Sequence, residues 1–328
     1  MMTNVVLLGR MAAGFAPRLA QRIRHPHSLT PIADVSRIDE FAPQMSAAHV
    51  LVGWPLTDAL IARAPNLKLA QASGAGIDGL SPDSLPPGVF LANTFHHETA
   101  IAEYVLLAML YLTRRPHEYD ARLRLGQWHE SCVWGEPPVL RELRGQTALI
   151  LGLGHIAREI AIRARAFGVR LIGVSRRADA QPPDSLFDEV ISWAGWQDRL
   201  PTTDFLIPCC PLTPETTGLI DAGVCARLPR TAFVINMTRG RVLDEQATYD
   251  ALSTGRIAGA ALDVWYQYPV SLDQPRFPSG LPFHELPNVL LSPHNSAWTV
   301  PTIEGRVQDI AENISRLVEG RPLLHRLR

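Results

Sequence analysis

The feature that most constrains the fold lies between residues 147 and 174. An apolar segment at 147–151 leads into the turn Gly-Leu-Gly-His-Ile-Ala at 152–157, an amphipathic stretch follows to 167, and a second apolar segment covers 169–174. Short apolar runs predict buried strands, and two parallel strands need a crossover helix between them. The segment therefore predicts a β–α–β unit, which is typical of a doubly wound α/β domain.

The glycine turn has the residues that a bound pyrophosphate requires. Gly152 allows a tight turn, Gly154 lets the backbone approach the phosphates, and Ala157 is small enough for close packing of helix on strand. The first helical residues, His155 and Ile156, present backbone N–H groups that bind phosphate oxygens. Because the turn also stands between a predicted strand and a predicted helix, it indicates a dinucleotide-binding site.

The end of the second strand indicates which dinucleotide binds. In such domains this strand usually ends in an acidic residue that binds the ribose hydroxyls. Here Ser175, Arg176 and Arg177 follow the strand, and no acid is present. A serine hydroxyl and two guanidinium groups can bind a ribose 2′-phosphate. We therefore predict NADP(H) in preference to NAD(H); the alternative is a solvated arginine pair beside a missing acid.

The rest of the chain shows the same alternation of strands and helical segments. The first hundred residues form one α/β unit and the middle of the chain a second, so we predict two parallel sheets. A long helical stretch covers 101–125 and is broken near Pro116, and a helix at 310–319 closes the chain. The predicted strands cover residues 5–8, 49–52, 67–71, 147–151, 169–174, 204–208, 232–236, 258–263 and 289–292.

Composition argues against several classes of protein. A net charge of −1 gives no field that attracts nucleic acid or an acidic membrane surface. The first apolar run is far too short for a membrane span or a signal peptide. The four cysteines show no CxxC spacing, so we expect no metal. Their usage suits a reducing cytoplasm, which is the location we predict.

Six motifs, in order along nearly the whole chain, resemble those of the D-isomer-specific 2-hydroxyacid dehydrogenases. They are Gln-Ala-Ser-Gly-Ala-Gly-Ile-Asp at 71–78, Ala-Glu-Tyr-Val at 102–105, Cys-Pro-Leu-Thr-Pro-Glu-Thr at 210–216, Asn-Met-Thr-Arg-Gly at 236–240, Gly-Ala-Ala-Leu-Asp at 259–263 and Ser-Pro-His at 292–294. Any one of them is weak evidence, but six in order are specific.

The resemblance implies two doubly wound domains with the active site between them. Residues 1–99 and 296–328 would form the substrate-binding domain, and residues 100–295 the dinucleotide-binding domain. The resemblance also implies a homodimer formed through the dinucleotide-binding domains, helped by an arm at 128–143.

The resemblance further assigns roles to single residues. Arg239 would bind the substrate's carboxylate and polarise its carbonyl, which suits a forked guanidinium. His294 would donate the proton in reduction and accept it in oxidation. The backbone N–H groups of Ala75 and Gly76 would hold the other side of the carboxylate. The residues expected along the cofactor are Cys210, Pro211, Thr216, Met237, Thr238 and, at the nicotinamide carboxamide, Asp263.

The sequence departs from the family at one catalytic position. The family usually has a carboxylate shortly after the Gly-Ala-Ala-Leu-Asp motif, which pairs with the histidine and raises its pKa. Residues 264–272 contain no Asp or Glu, and the position falls on Tyr268. A neutral phenol stabilises an imidazolium much less than a carboxylate does. We therefore predict that His294 titrates lower than in typical relatives, unless an acid such as Glu285 takes that place in space.

Three bulky residues are candidates for the substrate pocket. Trp54 follows the second predicted strand, His97 precedes the long helical stretch, and Trp298 follows the Ser-Pro-His motif closely. Ordinary packing is the alternative for each of them. If they line the pocket, it favours a small keto acid or one with a flat side chain.

The sequence thus predicts an NADPH-dependent reductase that converts a 2-keto acid of the glyoxylate or hydroxypyruvate type to the D-2-hydroxy acid. One alternative is a formate dehydrogenase-like enzyme, which also lacks the carboxylate but has Gln at its place and Asn where this chain has His97. A phosphite-oxidising relative is disfavoured because Ala75 stands where a lysine is needed. A dinucleotide-sensing, corepressor-like protein shares the fold, but the presence of Arg239 and His294 argues against it.

Overall fold

The computed structural model describes residues 2–77, 80, 82–128, 131–177, 185–269 and 275–328. The chain divides into two compact units, one comprising Met1–His96 with Thr299–Arg328 and the other His97–Trp298. Each unit is built around its own parallel sheet. The functional division predicted from the sequence, with breaks after residues 99 and 295, stays a prediction.

The strands of the described residues form two doubly wound sheets. They are β1 (Thr3–Leu8), β2 (His27–Ile32), β3 (Val50–Gly53), β4 (Leu69–Ala72), β5 (Phe90–Ala92), β6 (Thr147–Leu151), β7 (Arg170–Ser175), β8 (Glu189–Ser192), β9 (Phe205–Pro208), β10 (Phe233–Asn236), β11 (Gly259–Leu262) and β12 (Val289–Leu291). The first sheet has the order β2-β1-β3-β4-β5 and the second the order β12-β11-β10-β9-β6-β7-β8. Both orders reverse beside the unit's first strand, which confirms the predicted fold class of two parallel-sheet α/β domains.

The two helical stretches named in the sequence form, and the last helix begins earlier than predicted. The α-helices of the described residues are α1 (Gly9–Gly14), α2 (Ala16–Arg22), α3 (Ala42–Ser46), α4 (Asp58–Ile61), α5 (Glu98–Arg114), α6 (Pro116–Arg124), α7 (His155–Ala166), α8 (Ala222–Arg227), α9 (Glu245–Ser253) and α10 (Val300–Glu319). The predicted break near Pro116 in the stretch at 101–125 is confirmed, because Arg115 has a φ of +50° and Pro116 begins α6. The last helix begins at Val300 rather than at residue 310, because Thr299 caps its first turn, where a proline is tolerated.

Three strands, β2, β5 and β8, lie outside the predicted set. β2 and β8 are sheet edges whose residues are mostly half-buried, so neither has an uninterrupted apolar run. β5 has three residues, and its outer side is covered by the C-terminal segment, where the Leu327 N–H donates to Leu91 O at 2.8 Å. Edge strands are short and often polar, which is why hydrophobic periodicity misses them.

Apolar side chains fill both faces of the second sheet. Alternate residues of β6 enter two different clusters, with Ile150 on the face covered by α5 and α7 and Leu149 on the opposite face. Burial on both faces explains the continuous apolar runs of these strands. Among the described helices, none combines the length and the apolar character that a membrane crossing requires.

Candidate functional site

The glycine turn after β6 has a backbone geometry that glycine alone adopts readily. Gly152 has a φ of +104°, and a Cβ there would lie 3.0 Å from the carbonyl oxygen of Cys209. Its N–H donates to Val174 O at 2.9 Å, which ties the turn to β7. At Gly154 a Cβ would meet no described atom within 4 Å, and α7 begins at the next residue. An open space above the first N–H groups of a helix fits the pyrophosphate of a dinucleotide.

The carboxyl end of β7 lies near the segment at 210–216. Ser175 Oγ accepts a hydrogen bond from the N–H of Arg177 at 3.0 Å, and both arginines are exposed. Burial raises the pKa of the Cys210 thiol to about 11, against which the charge of Arg176 acts. A hydrogen bond from a neighbouring threonine, together with the charge of Arg176, lowers the pKa of Glu215. The charge of Arg176 therefore acts on two residues of the segment at 210–216.

Thr216 folds the segment that carries three of the predicted cofactor residues. Its hydroxyl donates to Pro211 O at 2.6 Å and accepts from the N–H of Thr213 at 2.7 Å. Cys210 is buried at the start of the same turn, just after β9. The structure thus brings Cys210, Pro211 and Thr216 together at the carboxyl end of one strand.

Asn236, the last residue of β10, organises the segment that contains Arg239. Its Oδ1 accepts from the N–H of Thr238 at 3.0 Å and from the Thr238 hydroxyl at 2.9 Å. Its Nδ2 donates to Arg239 O at 2.9 Å. Met237 is buried in the core, and Arg239 is half-buried. The side-chain amide of Asn236 therefore fixes the backbone from which the Arg239 side chain departs.

Arg239 and His294 follow the two strands that flank β11. The ends of these strands are in register, with Asn236 opposite Leu262 and Leu262 opposite Leu291. Arg239 and His294 each come three residues after the last residue of their strand, 236 and 291 respectively. Both therefore leave the carboxyl edge of the sheet, where doubly wound folds bind their ligands.

Asp263 is a buried anchor for the loop that carries His294. It is 0% exposed, and its Oδ1 accepts from Ser292 Oγ at 2.7 Å and from the N–H of Asn295 at 2.9 Å. Its Oδ2 accepts from the N–H of Ser296 at 3.1 Å and also from the Ser296 hydroxyl. Four hydrogen-bond donors, from Ser292 before His294 and from Asn295 and Ser296 after it, thus bind the one carboxylate. His294 lies between them with a φ of +57°, a backbone conformation that needs such support.

The structure brings Tyr268 against the His294 ring. The Tyr268 hydroxyl lies 3.0 Å from His294 Nδ1, and it also accepts from the N–H of Trp265 at 3.3 Å. Both rings are accessible, and Tyr268 is 42% exposed. Glu285, the acid considered as a substitute, is exposed and lies 3.8 Å from His284 Nε2. A phenol therefore lies beside the imidazole, at the position where the resemblance leads us to expect a carboxylate.

The predicted substrate loop after β4 has two carbonyls that point the same way. Gly74 O accepts from the N–H of Thr94 at 3.3 Å, and Ala75 O accepts from Asn93 Nδ2 at 2.8 Å. In a trans peptide the N–H points opposite to the carbonyl. The N–H groups of Ala75 and Gly76 therefore both point away from the segment at 93–94. Residue 78, the last of the predicted motif, lies outside the described residues.

The three candidate pocket residues have different environments. Trp54 is half-buried at the end of β3 in the first unit. His97 is 8% exposed at the start of α5, where its carbonyl accepts from the N–H of Ile101 at 2.9 Å. Trp298 is 50% exposed, four residues after His294. Their roles in a pocket stay predictions.

Trp265 is a site residue that the sequence did not indicate. Its indole N–H donates to Ser292 O at 2.8 Å, and its backbone N–H donates to Tyr268. A Cβ on Gly240 would lie 2.4 Å from Trp265 O, so the glycine after Arg239 permits this close approach. Trp265 thereby contacts the segments of all three predicted catalytic residues. Nothing in the sequence around Trp265 indicates these contacts. The glycine at 240 is the one signal, because a glycine after Arg239 indicates a close approach of another backbone segment.

The two parallel sheets and the turn at 152–157 define a doubly wound protein with a dinucleotide-binding domain. The family model for the NAD-binding domain of the D-isomer specific 2-hydroxyacid dehydrogenases matches residues 106–296. The chain is 30% identical to the glyoxylate reductase of Thermococcus litoralis, over 84% of this chain and 82% of that protein. The chain belongs to the D-isomer specific 2-hydroxyacid dehydrogenase family.

Two further matches show the range of this family. The structure of the NADPH-dependent glyoxylate/hydroxypyruvate reductase from Sinorhizobium meliloti, in complex with NADP and sulfate, is similar with a TM-score of 0.79 and 26% identity, covering 99% of this chain and 98% of that one. The D-3-phosphoglycerate dehydrogenase of Methanocaldococcus jannaschii is 29% identical over 86% of this chain and 52% of that protein. The chain spans about half the length of the D-3-phosphoglycerate dehydrogenases that it matches.

Proposed function

We propose that the protein is an NADP(H)-preferring reductase that converts a small 2-keto acid of the glyoxylate or hydroxypyruvate type to the D-2-hydroxy acid. The observation that carries this proposal is the placement of Arg239 and His294 at the ends of β10 and β12, with the His294 loop anchored on Asp263. The reductase relatives described above support the substrate class. The exposed Arg176 and Arg177 after β7 support the phosphorylated dinucleotide.

In this proposal the bound dinucleotide supplies the hydride to the carbonyl carbon. Gly152 and Gly154 would hold its pyrophosphate, and Ser175, Arg176 and Arg177 would bind the 2′-phosphate. Arg239 presents a guanidinium whose forked N–H groups match a carboxylate oxygen and the adjacent carbonyl oxygen. Its charge would orient the keto acid and stabilise the negative charge that develops on the carbonyl oxygen during reduction.

His294 would supply the proton. Because Nδ1 faces the Tyr268 hydroxyl, we assign Nε2 to the substrate side. A protonated His294 would give its Nε2 proton to the carbonyl oxygen and keep the Nδ1 proton, which hydrogen-bonds the phenol oxygen. The Tyr268 oxygen can accept this bond together with the one from Trp265, because a hydroxyl has two lone pairs.

The test is a panel of keto acids run with both NADPH and NADH. We expect NADPH to be consumed rapidly with glyoxylate or hydroxypyruvate, with phenylpyruvate as a probe of pocket size. A clear preference for NADH would contradict the assignment of Ser175, Arg176 and Arg177. Tight dinucleotide binding without turnover of any keto acid would contradict the enzyme and favour a sensor, and oxidation of formate would favour the formate dehydrogenase-like alternative.

We also propose that the protein forms a homodimer through its dinucleotide-binding domains, helped by the arm at 128–143. Several large apolar side chains of this arm are exposed, including Trp128 at 56%, Trp134 at 77% and Val139 at 99%. Large exposed apolar side chains that form a contiguous patch mark association surfaces. Residues 129 and 130 of the arm lie outside the described residues. Light scattering after size-exclusion chromatography should give twice the chain mass, and a monomer at assay concentration would contradict the proposal.

A further inference from the structure

The last helix, α10, has a stripe of buried polar residues beside its apolar face. From this helix, the core of the first unit includes Val307, Ile310, Ala311 and Ile314. The polar residues, none more than 8% exposed, are Thr302, Arg306, Asp309 and Asn313. Steps of four, three and four residues place them along one side of the helix. A buried polar group is costly unless it is bonded, so its partners explain its presence.

Every member of the stripe binds the part of the chain between residues 71 and 96, which includes the substrate loop. The bonds are Thr302 Oγ1 to His96 O at 2.9 Å, Arg306 Nε to Phe95 O at 3.2 Å, Thr94 Oγ1 to Asp309 Oδ2 at 2.7 Å and Asn313 Nδ2 to Gln71 Oε1 at 2.8 Å. Helix α10 therefore holds both flanks of the loop by directed bonds, in addition to its apolar packing.

Arg306 is the member of the stripe that reaches the loop itself. Its Cζ and Nη2 atoms lie 3.8 Å, and its Nη1 atom 3.9 Å, from the point that a Cβ on Gly74 would occupy. Three guanidinium atoms of Arg306 therefore lie on the side of Gly74 where a side chain would project. Because Arg306 is 8% exposed, water screens its charge less than it would at the surface.

We propose that Arg306 is a positioning residue of the substrate site, which supports the loop at Gly74 and makes the N–H groups of Ala75 and Gly76 selective for a carboxylate. This inference rests on the proposed function of the loop. The N–H groups point away from the segment at 93–94, and the guanidinium adds a fixed positive charge beside them. The Asp309 carboxylate on the same helix is bonded elsewhere: its Oδ2 accepts from the Thr94 hydroxyl at 2.7 Å and lies 2.9 Å from His96 Nε2 and 3.5 Å from His325 Nε2.

The first test needs no turnover. Hydrogen exchange of the amides at 74–76 should be at least several-fold faster in Arg306→Met, which keeps an aliphatic side chain but removes the guanidinium. The matched control is Arg316→Met on the same helix, whose guanidinium pairs with Glu312 at 2.7 Å instead. This control should leave the loop's exchange unchanged. Equal exchange in the wild type and Arg306→Met would overturn the positioning role, whatever the enzyme's substrate is.

The second test separates charge from packing. Arg306→Met should raise the KM for the keto acid about tenfold, because one buried charge near a carboxylate has an effect of that order, with kcat and the Kd for NADPH nearly unchanged. Arg306→Lys should recover most of that loss, since it restores the charge. A KM that does not change in Arg306→Met, or that Lys fails to improve, overturns the electrostatic part. If the wild type itself turns over no keto acid, the proposed function fails, and the exchange experiment still decides the role of Arg306.

Discussion

The loop and the ring of His294 are held by two different kinds of partner. The loop is fixed by Asp263, a fully buried carboxylate with four donors. The ring of His294 lies beside Tyr268, which is 42% exposed and whose uncharged hydroxyl lies 3.0 Å from Nδ1. Charged acceptors make bonds about twice as strong as neutral ones. A carboxylate therefore fixes the backbone position of His294, whereas the group beside its ring is uncharged and stabilises the imidazolium less.

The largest effect should come from replacing His294, whose loop is held by Asp263 and whose ring lies beside Tyr268. His294→Gln keeps a polar side chain but removes the proton donor, so kcat for keto acid reduction should fall by about 10²- to 10⁴-fold. The Kd for NADPH should stay the same, because the glycine turn is untouched. His284→Gln is the control, since His284 stacks on Phe277 with ring centroids 3.8 Å apart and has no assigned role. Steady-state kinetics with titration of NADPH would show this, and near-normal turnover in His294→Gln would contradict the assignment.

The next effect tests the anchoring half of the comparison. Asp263→Asn places an amide N–H group against the donors of residues 292–296, so we expect a loss of about 3 kcal/mol in the free energy of unfolding, the scale of hydrogen bonds to a charged group. The kcat should fall as well, because the His294 loop loses its fixed position. Urea unfolding gives the first quantity and steady-state kinetics the second.

Asp244→Asn is the matched control for this change. Asp244 Oδ1 accepts one bond, at 2.8 Å, from the N–H of Ala247 at the start of α9. Asparagine is as good an N-cap as aspartate, so the free energy of unfolding should change by less than about 0.5 kcal/mol. Equal stability losses in the two variants would mean that the bonds of Asp263 stabilise the fold no more than those of an exposed N-cap, which would contradict its role as the anchor of the His294 loop.

The sequence predicts this arrangement only in part. The order of elements, the glycine turn and the positions of Arg239 and His294 at strand ends follow from periodicity and motif spacing, because those signals are local. The bonds of Asp263 to residues 292–296 join segments 29 to 33 positions apart, and no local pattern specifies them. The role of Asp263 at the cofactor stays a prediction, whereas its bonds to the His294 loop are seen only in the structure.

The substrate loop shows the same limit more strongly. Arg306 lies beside the position that a Cβ on Gly74 would occupy, although most of the chain separates the two residues, and the Asn93 side-chain amide donates to Ala75 O. Nothing in the sequence near Arg306 distinguishes it from a surface arginine of an amphipathic helix. Only the packing of α10 against the first sheet gives it a partner. Tyr268 is the reverse case, since counting from a motif was enough to predict its place beside His294.

A smaller effect is expected at the proposed 2′-phosphate site, where the two arginine side chains are exposed. Replacing Arg176 and Arg177 together by Ala should raise the KM for NADPH about tenfold to a hundredfold, the scale of one or two charge-assisted hydrogen bonds, and leave the KM for NADH nearly unchanged. Arg170→Ala is the control, because it lies at the opposite end of β7 and pairs with Glu189 at 3.2 Å. Equal changes for the two dinucleotides would contradict a 2′-phosphate site.

The smallest effect tests the neutral half of the comparison. A carboxylate beside the His294 ring favours the imidazolium, so His294 in Tyr268→Glu should keep its proton to higher pH. Reduction needs that proton, so the fall of kcat/KM with rising pH should move upward by about one pH unit or more. Tyr268→Gln offers a neutral hydrogen-bonding group and should leave this limb close to that of the wild type.

The pair of variants separates charge from contact. If both move the limb equally, the hydrogen bond to Nδ1 matters rather than the charge, and the contrast between Asp263 and Tyr268 loses its meaning. If neither moves it, the ring of His294 is tuned by something other than residue 268. Only a shift confined to Tyr268→Glu supports the contrast between a carboxylate that holds the His294 loop and an uncharged group beside the His294 ring. In that case the wild type loses keto acid reduction at a lower pH than Tyr268→Glu does.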